Sequence, residues 1–252
     1  MGEFSITIYN KDSVNVEYLR NGVTFNKTVA TEEFKWDSPS HNGTVYMRND
    51  TSSYIKSITG DVYYIDLSNI KNPGQLKSDY DRIKDSKALI VDLRRYPKNI
   101  DLSYFILKGN PYANAVKFLY PLQGAPGTFH SEPTDLQKSD YDNPDSYKGK
   151  LILLVGNNTM SAGETCAMFL QSHANTTVIG TNTAGANGNV IYIPLPGHLR
   201  AYFSSVGVAY TNGEMIQKQG IKLDHIVKPT LEGIKQGKDE LLEYAVKMVN
   251  KQ

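Results

Sequence analysis

Apolar and polar residues alternate near the start of the chain, at residues 14–19 and 24–29. Alternation with a period of two places successive side chains on opposite faces, as in a β-strand with one covered face. Asn21 and Gly22 stand between the two stretches, and this pair favours the tight turn of a β-hairpin. We therefore predict a hairpin within a small β unit over residues 5–36.

From about residue 44 the pattern changes to strands that alternate with helices. Residues 62–67 predict a strand, and residues 88–93 and 151–155 form nearly continuous apolar runs, typical of strands covered on both faces. Between the first two of these strands, the sequence has a helix start: Asn72 is placed as the N-cap, Pro73 as the first helical residue and Gln75 as the residue that completes a capping box. Alternating strands and helices predict an α/β fold.

The remaining patterns are weaker. Residues 119–150 are rich in Pro, Gly, Asp, Ser and Tyr and predict a long loop, which in a compact domain is usually functional or mobile. Short strands are predicted at residues 178–180, 189–195 and 201–210, with a turn at 182–188. A final helix over residues 238–249 has one apolar side, formed by Leu241, Leu242, Ala245, Met248 and Val249.

The composition is that of an ordinary globular protein, with 40% hydrophobic and 21% charged residues in 252. A formal net charge of +1 gives no electrostatic footprint for nucleic acid or for an anionic membrane. No stretch approaches the roughly 18 apolar residues of a membrane span. The single cysteine, Cys166, lies in an apolar helical segment and is expected in the core.

A polar stretch at residues 37–43 separates the β unit from the rest of the chain. We expect a domain boundary there, with one unit at residues 1–40 and a second at residues 41–252. Residues 1–5 lack the basic start and apolar stretch of a signal peptide and lead almost directly into a strand pattern. We therefore expect the sequence to be a piece of a longer protein.

Neither a metal nor a cofactor site is expected. The histidines have no ligand-like spacing to one another or to the cysteine; they are His41, His130, His173, His198 and His225. Gly185 and Gly188 lack both the Lys-Ser/Thr of a phosphate-binding loop and the spacing of a dinucleotide fingerprint. The sequence therefore disfavours nucleotide enzymes.

Ser161 is the main candidate for chemistry, because a predicted strand, a tight turn and a predicted helix place it at a helix N-terminus. Free N–H groups and the positive end of the helix dipole can stabilise an oxyanion there. The alternative is that Ser161 or Thr159 simply caps the helix. Glu164 is expected to be a first-turn acid favoured by the dipole, and Asp92 with Arg94 a structural pair at a strand end.

Five motifs follow one another in a specific order, at residues 92–97, 161–164, 183–188, 219–224 and 227–230. Together they resemble the tail-specific, or C-terminal processing, serine peptidases and the related tricorn core proteases, in the variant common in Bacteroidota-type bacteria. The resemblance covers roughly residues 60–250. It implies a layered α/β core of the ClpP/crotonase type, preceded by a PDZ-like peptide-binding unit whose end is formed by residues 1–40.

The resemblance also implies roles for individual residues. Ser161 matches the nucleophile, and the backbone N–H of Ala162 matches one oxyanion donor. The second donor of the family is a glycine in the turn after Asp-Leu-Arg, where this chain has Pro97, Lys98 and Asn99. The N–H of Lys98 is the candidate for that donor.

The general base is the main departure from the family. In the Ser–Lys branch a lysine follows the serine by 25 positions, and 161 + 25 = 186 is Ala186 in this chain. In the tricorn-like branch the base is a histidine upstream of the PDZ domain, a region that this sequence does not contain. Gln217 stands near the place of a glutamate and can orient a base by hydrogen bonding, without charge. His130 is the one histidine of this sequence expected to be able to swing toward a cleft.

The resemblance implies a serine endopeptidase that acts on peptides or unfolded proteins in the periplasm or at the cell surface. Because the base is missing, we expect this chain alone to be nearly inactive. A catalytically degenerate peptide-binding or scaffold relative is the alternative. Acyl-CoA chemistry on a crotonase-type core is a third possibility, but the sequence offers no basic pocket for nucleotide phosphates. The oligomeric state is left open.

Overall fold

The computed structural model describes residues 12–20, 22–30, 53–131, 133, 135–138 and 140–250. The chain divides into two units, Met1–Thr51 and Ser52–Gln252. In the first unit, strands β1 (Ser13–Arg20) and β2 (Val23–Ala30) form an antiparallel hairpin. Gly22 has φ +77° in the turn, a conformation that is easy only for a residue without Cβ. The predicted hairpin is confirmed, whereas the linker candidate at residues 37–43 lies outside the described residues.

The second unit contains a layered α/β core. Its strands are β3 (Ile55–Thr59), β4 (Val62–Asp66), β5 (Ala88–Asp92), β6 (Lys117–Pro121), β7 (Phe129–His130), β8 (Lys150–Val155), β9 (Thr176–Gly180), β10 (Val190–Leu195), β11 (Leu199–Ser204), β12 (Gly207–Ala209) and β13 (His225–Ile226). Its helices are α1 (Leu76–Ile83), α2 (Leu102–Ile106), α3 (Pro111–Ala115), α4 (Asp135–Lys138), α5 (Ala162–Gln171), α6 (Leu231–Lys235) and α7 (Glu240–Asn250). Short 3-10 turns lie at Leu67–Asn69, Pro73–Gln75 and Pro196–His198.

A six-stranded sheet in the order β13-β9-β8-β5-β4-β3 forms the centre of this unit. Neighbouring strands pair in parallel from β13 to β4, and only β3 is antiparallel. All five residues of β5 are buried, because helices cover both faces of the sheet. The predicted α/β layering is therefore confirmed.

The two faces of the sheet pack against different helices. On one face, Leu89 and Leu153 join a cluster that includes Phe169 of α5. On the other face, Ile90 and Ile152 pack with the apolar side of α7. The predicted terminal helix is confirmed, and its apolar residues face the sheet as the periodicity indicates. Among the described residues, no helix combines the length and the apolar character needed to cross a membrane.

Three local predictions need correction. The expected loop at 119–150 contains part of β6, which pairs with β7 and with the distant β12, so its strand character depends on partners that local periodicity does not reveal. The strand expected at 201–210 is divided into β11 and β12, which belong to different sheets. Gln75 completes no capping box: it lies directly before α1 and makes no side-chain capping bond.

Candidate active site

Ser161 lies between the turn after β8 and the first residue of α5, in an unusual backbone conformation. Its φ and ψ are 49° and −117°, a region that L-residues rarely occupy and that costs about 1–3 kcal/mol. Its side chain makes no capping hydrogen bond to α5. The hydroxyl has no partner among the described residues. The simple capping interpretation of Ser161 is therefore wrong.

Thr159 does not cap the helix either. Its hydroxyl donates to the carbonyl oxygen of Leu93 at 2.8 Å and accepts from the N–H of Gly156 at 3.0 Å. These bonds join the turn after β8 to the chain that leaves β5. Thr159 is fully buried and fixes the turn from which Ser161 projects.

Glu164 holds the turn that follows β9 against the start of α5. Its buried carboxylate accepts hydrogen bonds from the hydroxyl of Thr183 at 2.6 Å and from the N–H groups of Gly185 and Ala186 at 2.7 and 3.1 Å. The carbonyl of Ala186 in turn accepts from the N–H of Ser161 at 2.8 Å. Glu164 is thus more than a first-turn acid, because it positions Ala186, whose carbonyl in turn binds the N–H of Ser161.

The first turn of α5 leaves the N–H of Ala162, the residue next to Ser161, without an acceptor among the described residues. The N–H of Gly163 donates to Met160 and that of Thr165 to Ser161. No described residue accepts from the N–H of Ala162. This donor, at the positive end of the helix dipole, is available to an oxyanion.

Lys98 does not provide a second donor in this structure, contrary to the expectation. Its N–H donates to the carbonyl of Leu67 at 3.0 Å. The turn itself lies close to the helix, since a Cβ at Gly163 would be 3.5 Å from Pro97. Farther along the same loop, Ile100 lines the same cavity as Ser161. No described residue accepts from the N–H of Ile100.

Ser161 opens into a cavity of about 350 Å³. The described residues that line it are Ile100, Tyr112, Phe118, Tyr120, Ser161, Ala162, Thr165, Asn187, Gly188, Asn189 and Val206. None of these is a histidine, lysine or carboxylate. Burial, followed by the charge of Asp101, raises the pKa of Tyr112, so this phenol remains protonated at neutral pH. The described lining therefore supplies no general base.

His130 lies beside Tyr120, which lines this cavity. It is exposed on β7, and its ring centroid is 5.9 Å from that of Tyr120. His225 is also exposed, beside the ring of Tyr244. His173 is bound through Nε2 to the carbonyl of Tyr147. His41 lies outside the described residues.

Gln217 uses its amide entirely on backbone groups. Its Nε2 donates to the carbonyls of Asn187 and Val206 at 3.0 and 2.8 Å, and its Oε1 accepts from the N–H of Val208 at 2.9 Å. Asn187 and Val206 both line the cavity. Gln217 therefore orients the walls of the cavity, whereas we expected it to orient a base.

Asp92 and Arg94 form a structural pair, as expected. The guanidinium of Arg94 also donates to both carboxylate oxygens of Asp239, at 2.8 and 2.7 Å. Tyr64 donates its hydroxyl to Asp92 at 2.7 Å. The network joins the end of β5 to the residue before α7.

A larger cavity, of about 500 Å³, lies at the opposite end of α5. Ser172 lines it, but its hydroxyl donates to the carbonyl of Phe169 at 2.7 Å. The C-terminal end of a helix carries negative partial charge, which opposes an oxyanion. Of these two cavities, the chemistry therefore favours the one at Ser161. Among the described residues, no group of three or more His, Cys, Asp or Glu side chains could hold a metal ion.

Residues 108–227 match the model of Peptidase family S41. This range includes Ser161, α5 and the turn that Glu164 holds. The resemblance to a peptidase family that the motifs indicate is therefore confirmed over these residues. A comparison with curated proteins gave no match.

Solved structures with a similar fold include one described as a putative peptidase. A putative peptidase from Parabacteroides merdae aligns with a TM-score of 0.62 at 20% identity, over 77% of this chain and 63% of its own. Mature CPAF in complex with lactacystin aligns with a TM-score of 0.62 at 14% identity, over 96% of this chain and 69% of its own. A lipoprotein from Streptococcus agalactiae aligns at 0.50 with 16% identity, over 75% of this chain and 70% of its own. The chain thus spans less than two thirds of the Parabacteroides merdae structure.

Proposed function

We propose that this chain is the catalytic core of a serine endopeptidase in which Ser161 is the nucleophile. The observation that carries the proposal is the backbone of Ser161, held at φ 49° at the start of α5 with its hydroxyl unbonded beside a cavity. A serine that only capped the helix would need neither this conformation nor a free hydroxyl. The match to a peptidase family over the same residues supports the assignment.

In the proposed reaction, Oγ of Ser161 attacks the carbonyl carbon of a peptide bond and loses its proton to a base. The N–H of Ala162 stabilises the oxyanion, and the N–H of Ile100 is the proposed second donor. The C–N bond then breaks, the amine leaves with a proton, and water hydrolyses the acyl-enzyme. Substituting Ile100→Pro removes its N–H, and we expect slower acylation of Ser161.

We further propose that the base comes from outside the described cavity lining, so that this chain alone reacts slowly. Loss of one member of a catalytic triad commonly costs several orders of magnitude in rate. We also propose that residues 1–40 end a PDZ-like unit and residues 41–252 form the core. The β1–β2 hairpin supports only the β character of the first unit.

The test is acylation of Ser161 by a fluorophosphonate, followed by intact mass with Ser161→Ala as the control. We expect slow, single labelling of the native chain and none of Ser161→Ala. Excess imidazole should accelerate the labelling, because an added base replaces the missing one. Labelling at another residue would contradict the assignment, and fast labelling without imidazole would contradict the missing base.

The second candidate is a catalytically degenerate relative that binds peptides. It is favoured by the absence of a base among the described lining residues and by the bonded N–H of Lys98. The Streptococcus agalactiae structure, which is named only as a lipoprotein, shares the fold. Peptide binding by a chain that imidazole does not render reactive would support this candidate over the peptidase.

A further inference from the structure

The hairpin of β10 and β11, here called the apolar arm, exposes both of its faces. One face consists only of apolar residues: Ile191, Ile193, Leu195, Leu199, Ala201 and Phe203. The other face carries Val190, Tyr192, Pro194, Arg200, Tyr202 and Ser204. Leu199 is 62% exposed and Tyr202 is 63% exposed. Continuous apolar exposure of this kind marks an interaction site.

The register of the arm shows which backbone groups point outward. The N–H of Ser205 donates to the carbonyl of Asn189 at 2.7 Å, at the base of the arm. Hydrogen-bonded pairs alternate along an antiparallel ladder, so Ile191 with Phe203, two positions along, is the next bonded pair. The even-numbered residues between the bonded pairs therefore direct their N–H and carbonyl groups away from the arm.

The two outer edges are not equivalent. On β10, Pro194 has no N–H, so the row of outward donors is interrupted there. On β11, Arg200, Tyr202 and Ser204 provide three outward N–H groups and three carbonyls. No described strand pairs with either edge. The edge of β11 is therefore the one with a complete row of donors and acceptors for pairing with another strand.

The open edge leads to the cavity of Ser161. Val206 follows β11 by two residues, Asn189 directly precedes β10, and both line the cavity. Gln217 bonds the carbonyls of Asn187 and Val206 and so fixes the two roots of the arm to each other. A strand that lies along β11 is thereby directed toward Ser161.

We propose that the outer edge of β11 binds an extended, apolar segment of a substrate polypeptide as an added β-strand and leads it to Ser161. The inference rests on the proposed peptidase function and names the substrate class. Main-chain hydrogen bonds give affinity with little sequence preference, and the apolar faces favour hydrophobic side chains. Arg200, stacked 4.6 Å from the ring centre of Tyr192, makes strongly basic segments poor ligands.

Binding is measured with the Ser161→Ala chain, so that hydrolysis cannot interfere. The probe is a fluorescein-labelled, eight-residue peptide of alternating valine and threonine, followed by fluorescence anisotropy. The control peptide has the same sequence with alternate amides N-methylated, which removes the donors needed for strand pairing. We expect the control to bind at least about tenfold more weakly. Equal binding of the two peptides, or no binding of either, would overturn the proposal.

A pair of matched variants then distinguishes the two edges. Tyr192 and Tyr202 are direct cross-strand partners, and proline at either position removes one outward N–H and leaves the hydrogen bonds within the arm intact. We expect Tyr202→Pro to weaken binding at least about tenfold and Tyr192→Pro to change it less than about twofold. Similar losses in both variants, or a loss only in Tyr192→Pro, would contradict docking on β11.

A second copy of the chain is the competing occupant of the same edge. Size-exclusion chromatography with light scattering tests it: a dimer of the native chain that Tyr202→Pro converts to a monomer would overturn the proposal. Failure of the proposed chemistry gives a different result. Suppose that peptide binding is lost in Tyr202→Pro, but Ser161 of the native chain does not react with a fluorophosphonate even in imidazole. This result would contradict the proposed peptidase function and support peptide docking on β11.

Discussion

Ser161 combines two properties that a structural serine does not need, a strained backbone and an unbonded hydroxyl. Its sequence position indicated a helix N-terminus, but the positive φ could not be predicted, because the bonds that impose it come from residues 183–186. The role of Glu164 was missed for the same reason. A signal was present, since Glu164 is the only charged residue in the otherwise apolar and small-residue start of α5. Only the fold shows which donors it meets.

Because the backbone of Ser161 is strained, we expect a glycine at this position to give a more stable protein than an alanine. In the interior of a helix or strand, replacing alanine by glycine destabilises a protein by about 0.5–1 kcal/mol. At φ 49°, glycine relieves the strain that alanine retains. We expect Ser161→Gly to exceed Ser161→Ala in free energy of unfolding by about 1 kcal/mol, measured by urea denaturation. A less stable glycine variant would show that the backbone of Ser161 is not strained.

Glu164 predicts a loss of stability larger than a helix-dipole effect. Substituting Glu164→Gln replaces one acceptor oxygen by an amide donor, which then faces a buried N–H or hydroxyl donor. We expect a loss of about 2 kcal/mol in the free energy of unfolding. Glu232→Gln, in the exposed first turn of α6, is the matched control, with an expected loss of less than about 1 kcal/mol. Equal losses of free energy of unfolding in the two variants would show that Glu164 contributes only as an acid in the first turn of the helix.

At the scale of elements, the sequence predicted the buried parallel strands and α7 well, because their apolar patterns depend on burial alone. The pairing of β6 with β12 could not be predicted, since the two strands are far apart in sequence and β6 is half-exposed. The Asp92–Arg94 pair was predicted from its position after β5. Its third member, Asp239, was not, because the contact joins residues 145 positions apart.

The bond between Arg94 and Asp239 predicts a pH-dependent contribution to stability. Burial alone would raise the pKa of Asp239, but the hydrogen bonds and charge of Arg94, together with the backbone N–H groups of Leu242 and Leu241, lower this pKa below the ordinary 3.8. The contribution is therefore complete above pH 3.8 and is lost as the pH falls through the lower pKa of the folded state.

We expect Asp239→Asn to be less stable than the native chain at neutral pH by no more than on the order of 1 kcal/mol, because Asp239 is 40% exposed. The difference should shrink below pH 3.8, as urea denaturation at several pH values can measure. A difference that grows on acidification would contradict the ion pair as its source.

At the scale of the whole molecule, residue patterns predicted two units, and the structure separates Met1–Thr51 from Ser52–Gln252. Among the described residues, those of the core clusters of the second unit lie between Tyr54 and Val249. The order of motifs predicted a resemblance to a peptidase family, and residues 108–227 match the model of Peptidase family S41. The exposure of the apolar arm could not be predicted, because an alternating apolar strand normally indicates a covered one.

The second unit should fold without the first. We expect residues 41–252 to unfold in one cooperative transition, with a free energy of unfolding within about 0.5 kcal/mol of the corresponding transition of the full chain. Both transitions are measured by urea denaturation followed by far-UV circular dichroism. Tryptophan fluorescence cannot be used for the comparison, because the single tryptophan, Trp36, is removed with residues 1–40. Loss of the cooperative transition would place part of the core in the removed segment.

Pro194 also limits the association of molecules with one another through the apolar arm. An arm with two complete edges would present the same template on both sides of every molecule, and chains could stack on one another without end. Head-to-tail stacking pairs the β11 edge of one molecule with the β10 edge of the next, and Pro194 removes a donor from that second edge. Pro194 thus weakens the stacking of arms on one another and leaves the β11 edge complete.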